Sequence, residues 1–175
     1  MSGGSVERVR AALAAAGHPD TVQAFPEGTR SAAEAAAAVG CEVAQIAKSI
    51  VLRAAVRSAE GEAWSRESAG QTHARPVLVI ASGANRVDMA KVAAVIGLQV
   101  KRADGGWVRD VTGFAIGGVA PLGHRAPPLV LLDEDLFRFD RVWAAAGSPM
   151  HVFATTPTEL QRLSGGARAD VKETG

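Results

Sequence analysis

Residues 76–88, Pro-Val-Leu-Val-Ile-Ala-Ser-Gly-Ala-Asn-Arg-Val-Asp, decide how the chain folds. Val77 to Ala81 are apolar without alternation, the pattern of a strand buried on both faces. Ser82-Gly83-Ala84-Asn85 then turns into a helix in which Val87, Ala90, Val92, Val95 and Ile96 can face a core, and Gly97 ends it. Upstream, residues 49–56 (SIVLRAAV) read as a second buried strand. Residues 57–75 are polar without a period, with Trp64 as their only large apolar residue, so a long hairpin loop is expected between the two strands. Downstream, 98–103 reads as a short strand and 107–112 as a helical turn. LVLLDEDL (129–136), RVWAAAG (141–147) and MHVFATTP (150–157) follow as three strand-like runs.

The flanks carry clear helix punctuation. Val6, Val9, Leu13 and Ala16 recur at helical spacing before Gly17-His18-Pro19. Residues 21–25 are β-prone, and Pro26-Glu27-Gly28 turns. Ser31 with Glu34 forms a capping box, and Gly40 closes a helix so poor in bulk that it must lie close against a neighbour. Residues 43–47 read as a further helical turn. Thr156, Pro157 and Glu159 open a last helix, and the polar end ARADVKETG is expected to fray. Strands alternate with helices early and cluster late. The expectation is a mixed α/β (α+β) fold in one domain, residues 1–175, and not a regular βαβ repeat.

Composition narrows the function classes. The chain has 175 residues, 47% hydrophobic and 21% charged, near the globular average. Nineteen Lys and Arg against 18 Asp and Glu leave a net charge of +1, so contact with a polyanion needs a local patch. One cysteine, Cys41, excludes a disulfide framework and a cysteine-based zinc site, and the four histidines show no metal-ligand spacing. No secretory signal and no apolar run of ~18 residues is visible, so a soluble, cytoplasmic protein is expected. Aromatics at 5% without tyrosine offer no base-stacking platform of the RNA-recognition type.

The stretch 113–124, Gly-Phe-Ala-Ile-Gly-Gly-Val-Ala-Pro-Leu-Gly-His, carries the strongest chemical signal. Its four glycines and proline read as a sharply bent backbone, not as core packing. The exposed N–H groups of such a loop can bind a carbonyl oxygen or an oxyanion; a tight inter-strand connection is the plainer alternative. It lacks the strand-GxGxxG-helix context of a dinucleotide site. Lys48, at the root of a buried strand, either snorkels outward or meets an anion in a cavity. No glycine-rich loop precedes it, which excludes a P-loop. Residues 82–88 leave the central strand where they can line a site, although Asn85 and Asp88 are also ordinary helix-start residues. Gly147-Ser148-Pro149-Met150-His151 reads as a turn whose serine has no obvious base nearby, and His124 and His151 are candidate general bases. Arg30, Arg53, Arg57, Arg86, Lys91, Lys101 and Arg102 are candidates for a basic face.

SAAEAAAAVGCEVAQIAKSIVL, VLVIASGANRVDMAKVAAVIG, TGFAIGGVAPLGH and LLDEDL occur in this order. Together they resemble the YbaK/prolyl-tRNA-synthetase insertion-domain family, the trans-editing aminoacyl-tRNA deacylases, with the stand-alone ProX type nearest. The resemblance covers about residues 20–170. It implies a mixed, largely antiparallel, barrel-like sheet flanked by short helices, and hydrolysis of the ester joining a wrong amino acid to the 3′-terminal adenosine of a tRNA, most often that for proline. It implies neither metal nor organic cofactor. Lys48 matches the family's lysine at the pocket mouth, acting through its charge. Gly117 and Gly118, followed by Pro121, Leu122 and Gly123, match the loop whose backbone holds the ester carbonyl and orders water. Thr29, Ser82, Gly83 and Gly147 match other pocket-wall positions, and His124 ends the loop beside the substrate.

An aminoacyl ester is already activated, so water placement and fixed dipoles are enough, with the substrate's ribose hydroxyl sharing the acid–base work. The cysteine-clearing branch has an early tyrosine and an acidic residue soon after the glycine that matches Gly147. This chain has neither, so the expected amino acid is alanine-like rather than cysteine. The expected partners are a mischarged tRNA and, as recruiter, prolyl-tRNA synthetase or an elongation factor, with no membrane. The competing reading is a domain of the same fold that binds the aminoacyl end without cleaving it.

Overall fold

A computed structural model of the protein describes residues 2–25, 31–58, 61–63 and 74–174. The turn expected at 26–28, Thr29, Arg30 and Trp64 lie outside the described residues.

The chain opens with α1 (Ser2–Ala15), which buries Val6, Val9 and Leu13 as their spacing predicts. After β1 (Val22–Ala24), Ser31 Oγ accepts from the Glu34 N–H at 3.1 Å and starts α2 (Ala32–Val39), which Gly40 ends at φ 77°. A 3-10 turn, Val43–Gln45, leads into β2 (Ile46–Ser58), so the strand begins three residues before the expected 49. Then come β3 (Gly61–Ala63) and β4 (Ala74–Ser82). Helix α3 (Met89–Ile96) is capped by Asp88 and followed by β5 (Val100–Arg102) and α4 (Gly105–Thr112). β6 (Leu129–Asp133), a 3-10 segment Glu134–Arg138, β7 (Val142–Ala145) and β8 (His151–Thr155) follow. Thr156 caps α5 (Pro157–Ser164), and β9 (Ala167–Ala169) comes last.

The strands form one mixed sheet in the order β1-β8-β7-β2-β4-β6-β9, with β3 and β5 also paired to β2. β2 runs antiparallel to β3, β4 and β5 and parallel to β7, while β6 is parallel to both β4 and β9. The path runs from β1 to β9 without closing, so the sheet is open. β4 sits between two apolar layers. Leu78 and Ile80 pack with Val9, Leu13, Phe114, Phe153 and Leu160, whereas Val77 and Val79 pack with Leu52, Val92, Leu131 and Val171. Two-sided burial explains its unbroken apolar sequence.

Three expectations are corrected. Helix α3 begins at Met89, so Val87 lies before it; Val87, Met89 and Ile96 pack beside the fully buried Val92, while Ala90 and Val95 (51% exposed) face outward instead of into the core. The C-terminal segment does not fray. β9 pairs with β6, Val171 is fully buried, and Lys172 bridges to Val87. Finally, 113–124 does contribute to the core, because Phe114, Val119 and Ala120 are buried between its glycines.

Candidate active site

The first residues of β2 form the floor of a groove with two lobes, of about 450 and 460 Å³. Lys48, Ser49, Ile50, Ile116, Gly117 and Val119 line both, so the groove is divided by β2 below and the glycine loop above. One lobe is the more polar, walled by the charged residues Arg86, Arg102 and Glu173 together with Met89 and Val108. The other is of equal size and more apolar, walled by Ala32, Ala35, Ala47, Ala144, Trp143 and Val152. The low bulk of α2 now has its reason: Ala35 and Ala36 press against Ile46, Trp143 and Val152.

Lys48 is half-buried and makes no hydrogen bond or ion pair among the described residues. Burial pushes its pKa below the ordinary lysine value, Arg86 adds repulsion, and Asp133 opposes the shift. A cation held without a partner in a groove attracts an anionic or strongly dipolar ligand. Ser49 was only a neighbour in the sequence. Its Oγ is buried on the same floor without a partner among the described residues, a signal no motif carries.

The loop gives its two central glycines different tasks. Gly117, at φ 91°, adopts a backbone that a side chain would strain, and it faces both lobes. Gly118 donates its N–H to the Ala115 carbonyl at 2.9 Å and lies against the Ser148 backbone, where an added Cβ would meet Ser148 Cα at 2.6 Å. Among the described residues, the N–H groups of Gly117 and Val119 have no acceptor. Pro121, Gly123 and His124 stand behind the loop and line neither lobe. His124 Nε2–H donates to the Ala120 carbonyl at 2.5 Å, its Nδ1 is buried without a partner, and its ring packs edge-on to Phe114. Burial lowers its pKa, which leaves a neutral ring bracing the loop from within.

The remaining candidates separate. Gly83 lines the apolar lobe; its N–H donates to Ile46 O at 2.7 Å, and a Cβ there would strike the Val43 carbonyl. Ser82 is buried, donating its hydroxyl to Ala44 O and its N–H to Asp133 Oδ2, so it fixes the end of β4 without facing the groove. Gly147, at φ 101°, packs on Ser5 away from both lobes. Thr29 lies outside the described residues. Ser148 does have a neighbouring base: the turn at Pro149-Met150 brings its Oγ to 2.6 Å from His151 Nδ1, while Met150 N–H donates to the same oxygen. Neither residue lines the groove, so this pair stabilises the turn beneath Gly118.

Of the candidate basic face, Arg86 and Arg102 join Lys48 in the polar lobe. Lys91 is instead paired with Asp170 at 2.9 Å, and the Arg53 guanidinium lies 4.8 Å over the Trp107 ring. Behind Arg86, Asp133 accepts from Ser82 and Asp135 N–H groups and from Asn85 Nδ2, and Asn85 also donates to Asp135, which Lys172 pairs at 2.8 Å. This network ties the C-terminal segment to the groove, and Glu173 reaches its wall.

The family model for the aminoacyl-tRNA editing domain matches residues 26–163. The chain belongs to the aminoacyl-tRNA editing domain family. Among relatives of this editing domain, the uncharacterized protein YwhH of Bacillus subtilis (strain 168) is 29% identical over 160 residues, 91% of each chain. A solved structure of a protein proposed to be a trans-editing enzyme for prolyl-tRNA synthetase is similar at 41% identity and TM-score 0.81, over 97% of this chain and 98% of that one. The hypothetical protein APE2540 shares the fold at TM-score 0.78 and 23% identity, over 95% and 99% of the two chains. As in those neighbours, the editing domain is a mixed α/β structure with an open sheet. No helix among the described residues is long and apolar enough to cross a membrane.

Proposed function

We propose that the protein is a trans-editing deacylase that hydrolyses the ester of a small, alanine-like amino acid on tRNA, with the tRNA for proline as substrate. The observation that carries this reading is the convergence on one groove of the unpaired Lys48 cation, the unengaged N–H groups of Gly117 and Val119, and a lobe walled by alanines. In this reading the alanine-walled lobe takes the amino-acid side chain. The polar lobe, with Arg86 and Arg102, takes the phosphate-bearing end of the nucleic acid, which offsets a net charge of only +1.

The ester carbonyl then lies at the junction of the lobes. Attack by water turns it into a tetrahedral oxyanion, for which the Gly117 and Val119 N–H groups are the fixed donors and Lys48 supplies positive charge. The donors are held by the fold before the substrate arrives, so little reorganisation is needed. A proton must leave the attacking water and reach the departing ribose oxygen; the adjacent ribose hydroxyl of the substrate is placed to relay it. Lys48 acts here as a charge, not as a nucleophile. Arrival at the groove through prolyl-tRNA synthetase or an elongation factor belongs to the same proposal.

The test is a deacylation panel on tRNA for proline carrying alanine, cysteine, serine or proline. Loss of alanine with proline spared supports the reading. Rapid loss of cysteine overturns the alanine-like assignment, and binding of the tRNA without any turnover favours a non-catalytic module.

A further inference from the structure

The glycine loop is held from a distance by one side chain. Arg8, half-buried on α1, donates from Nε to the Gly123 carbonyl at 2.8 Å and from Nη2 to the Gly113 carbonyl at 3.0 Å. Its guanidinium also lies 4.5 Å over the ring of Phe114, a fully buried residue that packs edge-on to His124. One planar fork therefore joins the two ends of the segment whose middle lines both lobes. Arg8 lies before residue 26, where the family match begins, and nothing in its sequence surroundings marks it. A second contact from the same helix points the same way: Ser5 Oγ donates to the Gly147 carbonyl at 2.6 Å, bracing the turn on which Gly118 rests.

We infer that Arg8 is a positioning residue: by fixing the span from Gly113 to Gly123 it sets where the Gly117 and Val119 N–H groups stand over the groove. The kinetic part of this inference rests on the deacylase reading above; the part concerning loop shape does not. Backbone bonds from Arg125 and Ala126 to Thr112 and Val111 close the base of the loop, so the segment remains attached to the fold without Arg8. What is lost is the cross-brace. Lysine keeps the charge but has one point donor and cannot span two carbonyls with a rigid fork.

The experiment compares Arg8→Lys and Arg8→Ala with the unaltered protein, reading amide hydrogen exchange and steady-state deacylation together. The loop's hydrogen-bonded amides, Gly118 on the Ala115 carbonyl and Phe114 on Thr112 Oγ1, are expected to exchange on the order of tenfold faster in both variants, with β4 amides unchanged. The kcat on alanyl-tRNA should fall at least tenfold with KM within threefold, because displaced donors weaken the transition state more than ground-state binding. Methylguanidinium should restore part of the Arg8→Ala rate. Unchanged loop exchange, or exchange rising equally in β4, overturns the inference, as does a loosened loop with unchanged kcat. If the unaltered protein cleaves no aminoacyl ester while the loop still loosens selectively, the assignment of Arg8 to loop shape stands and the deacylase reading falls.

Discussion

Gly118→Ala isolates the role of close backbone approach in the groove. Gly118 is outside the left-handed region, so alanine is conformationally permitted and only space is in question. The new Cβ would stand 2.6 Å from Ser148 Cα, 2.8 Å from its carbonyl carbon and 2.9 Å from its nitrogen, whereas ordinary contact begins at 3.4 Å. All three are backbone atoms on a turn held by the Ser148–His151 bond and by packing of Gly147 on Ser5. The turn yields poorly, so the loop must move by about 0.8 Å, carrying the neighbouring N–H groups of Gly117 and Val119 with it. A misplacement near 1 Å costs on the order of 10²-fold in rate, and overpacking costs roughly 1–3 kcal/mol of stability. The assay is single-turnover hydrolysis of alanyl-tRNA at a temperature where the variant is shown to be folded. Gly4→Ala, whose Cβ meets nothing within 4 Å, is the control and should retain the full rate. A folded Gly118→Ala protein with a rate within threefold of the parent would refute the claim that the loop's position sets catalysis.

In the proposed mechanism Lys48 acts protonated, and burial lowers its pKa, so the rate should fall as pH rises through a value below that of an ordinary lysine. Arg86→Ala removes a repulsion and should shift that limb of the pH–rate profile to higher pH. The same depressed pKa means that the native state binds this proton less tightly than the unfolded chain, so protonation near neutral pH opposes folding. Lys48→Met should therefore raise Tm while lowering the rate on the order of 10²-fold, as thermal denaturation beside a rate measurement would show. Ala35→Val narrows the apolar lobe and should penalise larger amino acids more than alanine, by roughly 10- to 200-fold in relative kcat/KM. Val171→Ala should cost about 2 kcal/mol in urea unfolding, because Val171 is fully buried in one cluster with Val77, Val79, Val92 and Leu131; a fraying tail would show no loss.

Local chemistry made much of this structure legible. Ser31 and Thr156 cap helices through their own side chains, and Gly40, Gly97 and Gly165 end them in the left-handed conformation, so those boundaries follow from neighbours in sequence. The central strand declared itself because β4 is covered on both faces. The tail did not. Ala167–Ala169 gains its partner, β6, from 36 residues upstream, and a strand of three residues carries no period of its own. Lys48 and Gly117 stood out in the sequence and do meet at the groove. Arg8, Ser49 and Glu173 depend on distant packing: an arginine on an amphipathic helix, a serine in a strand and an acid near the C-terminus are ordinary until the fold places them. Ser148 and His151 are only three residues apart, yet their contact depends on the turn between them.

The proposed function puts hydrolysis of an aminoacyl ester on Lys48 and the glycine loop. The most direct measurement is single-turnover hydrolysis of alanyl-tRNA for proline by the unaltered protein and by Lys48→Ala, with both folded at the assay temperature. Rapid hydrolysis by the first and a loss on the order of 10²-fold in the second, comparable to removing an oxyanion donor, are expected. No hydrolysis by the unaltered protein, or an equal rate without the lysine, would contradict the proposed function.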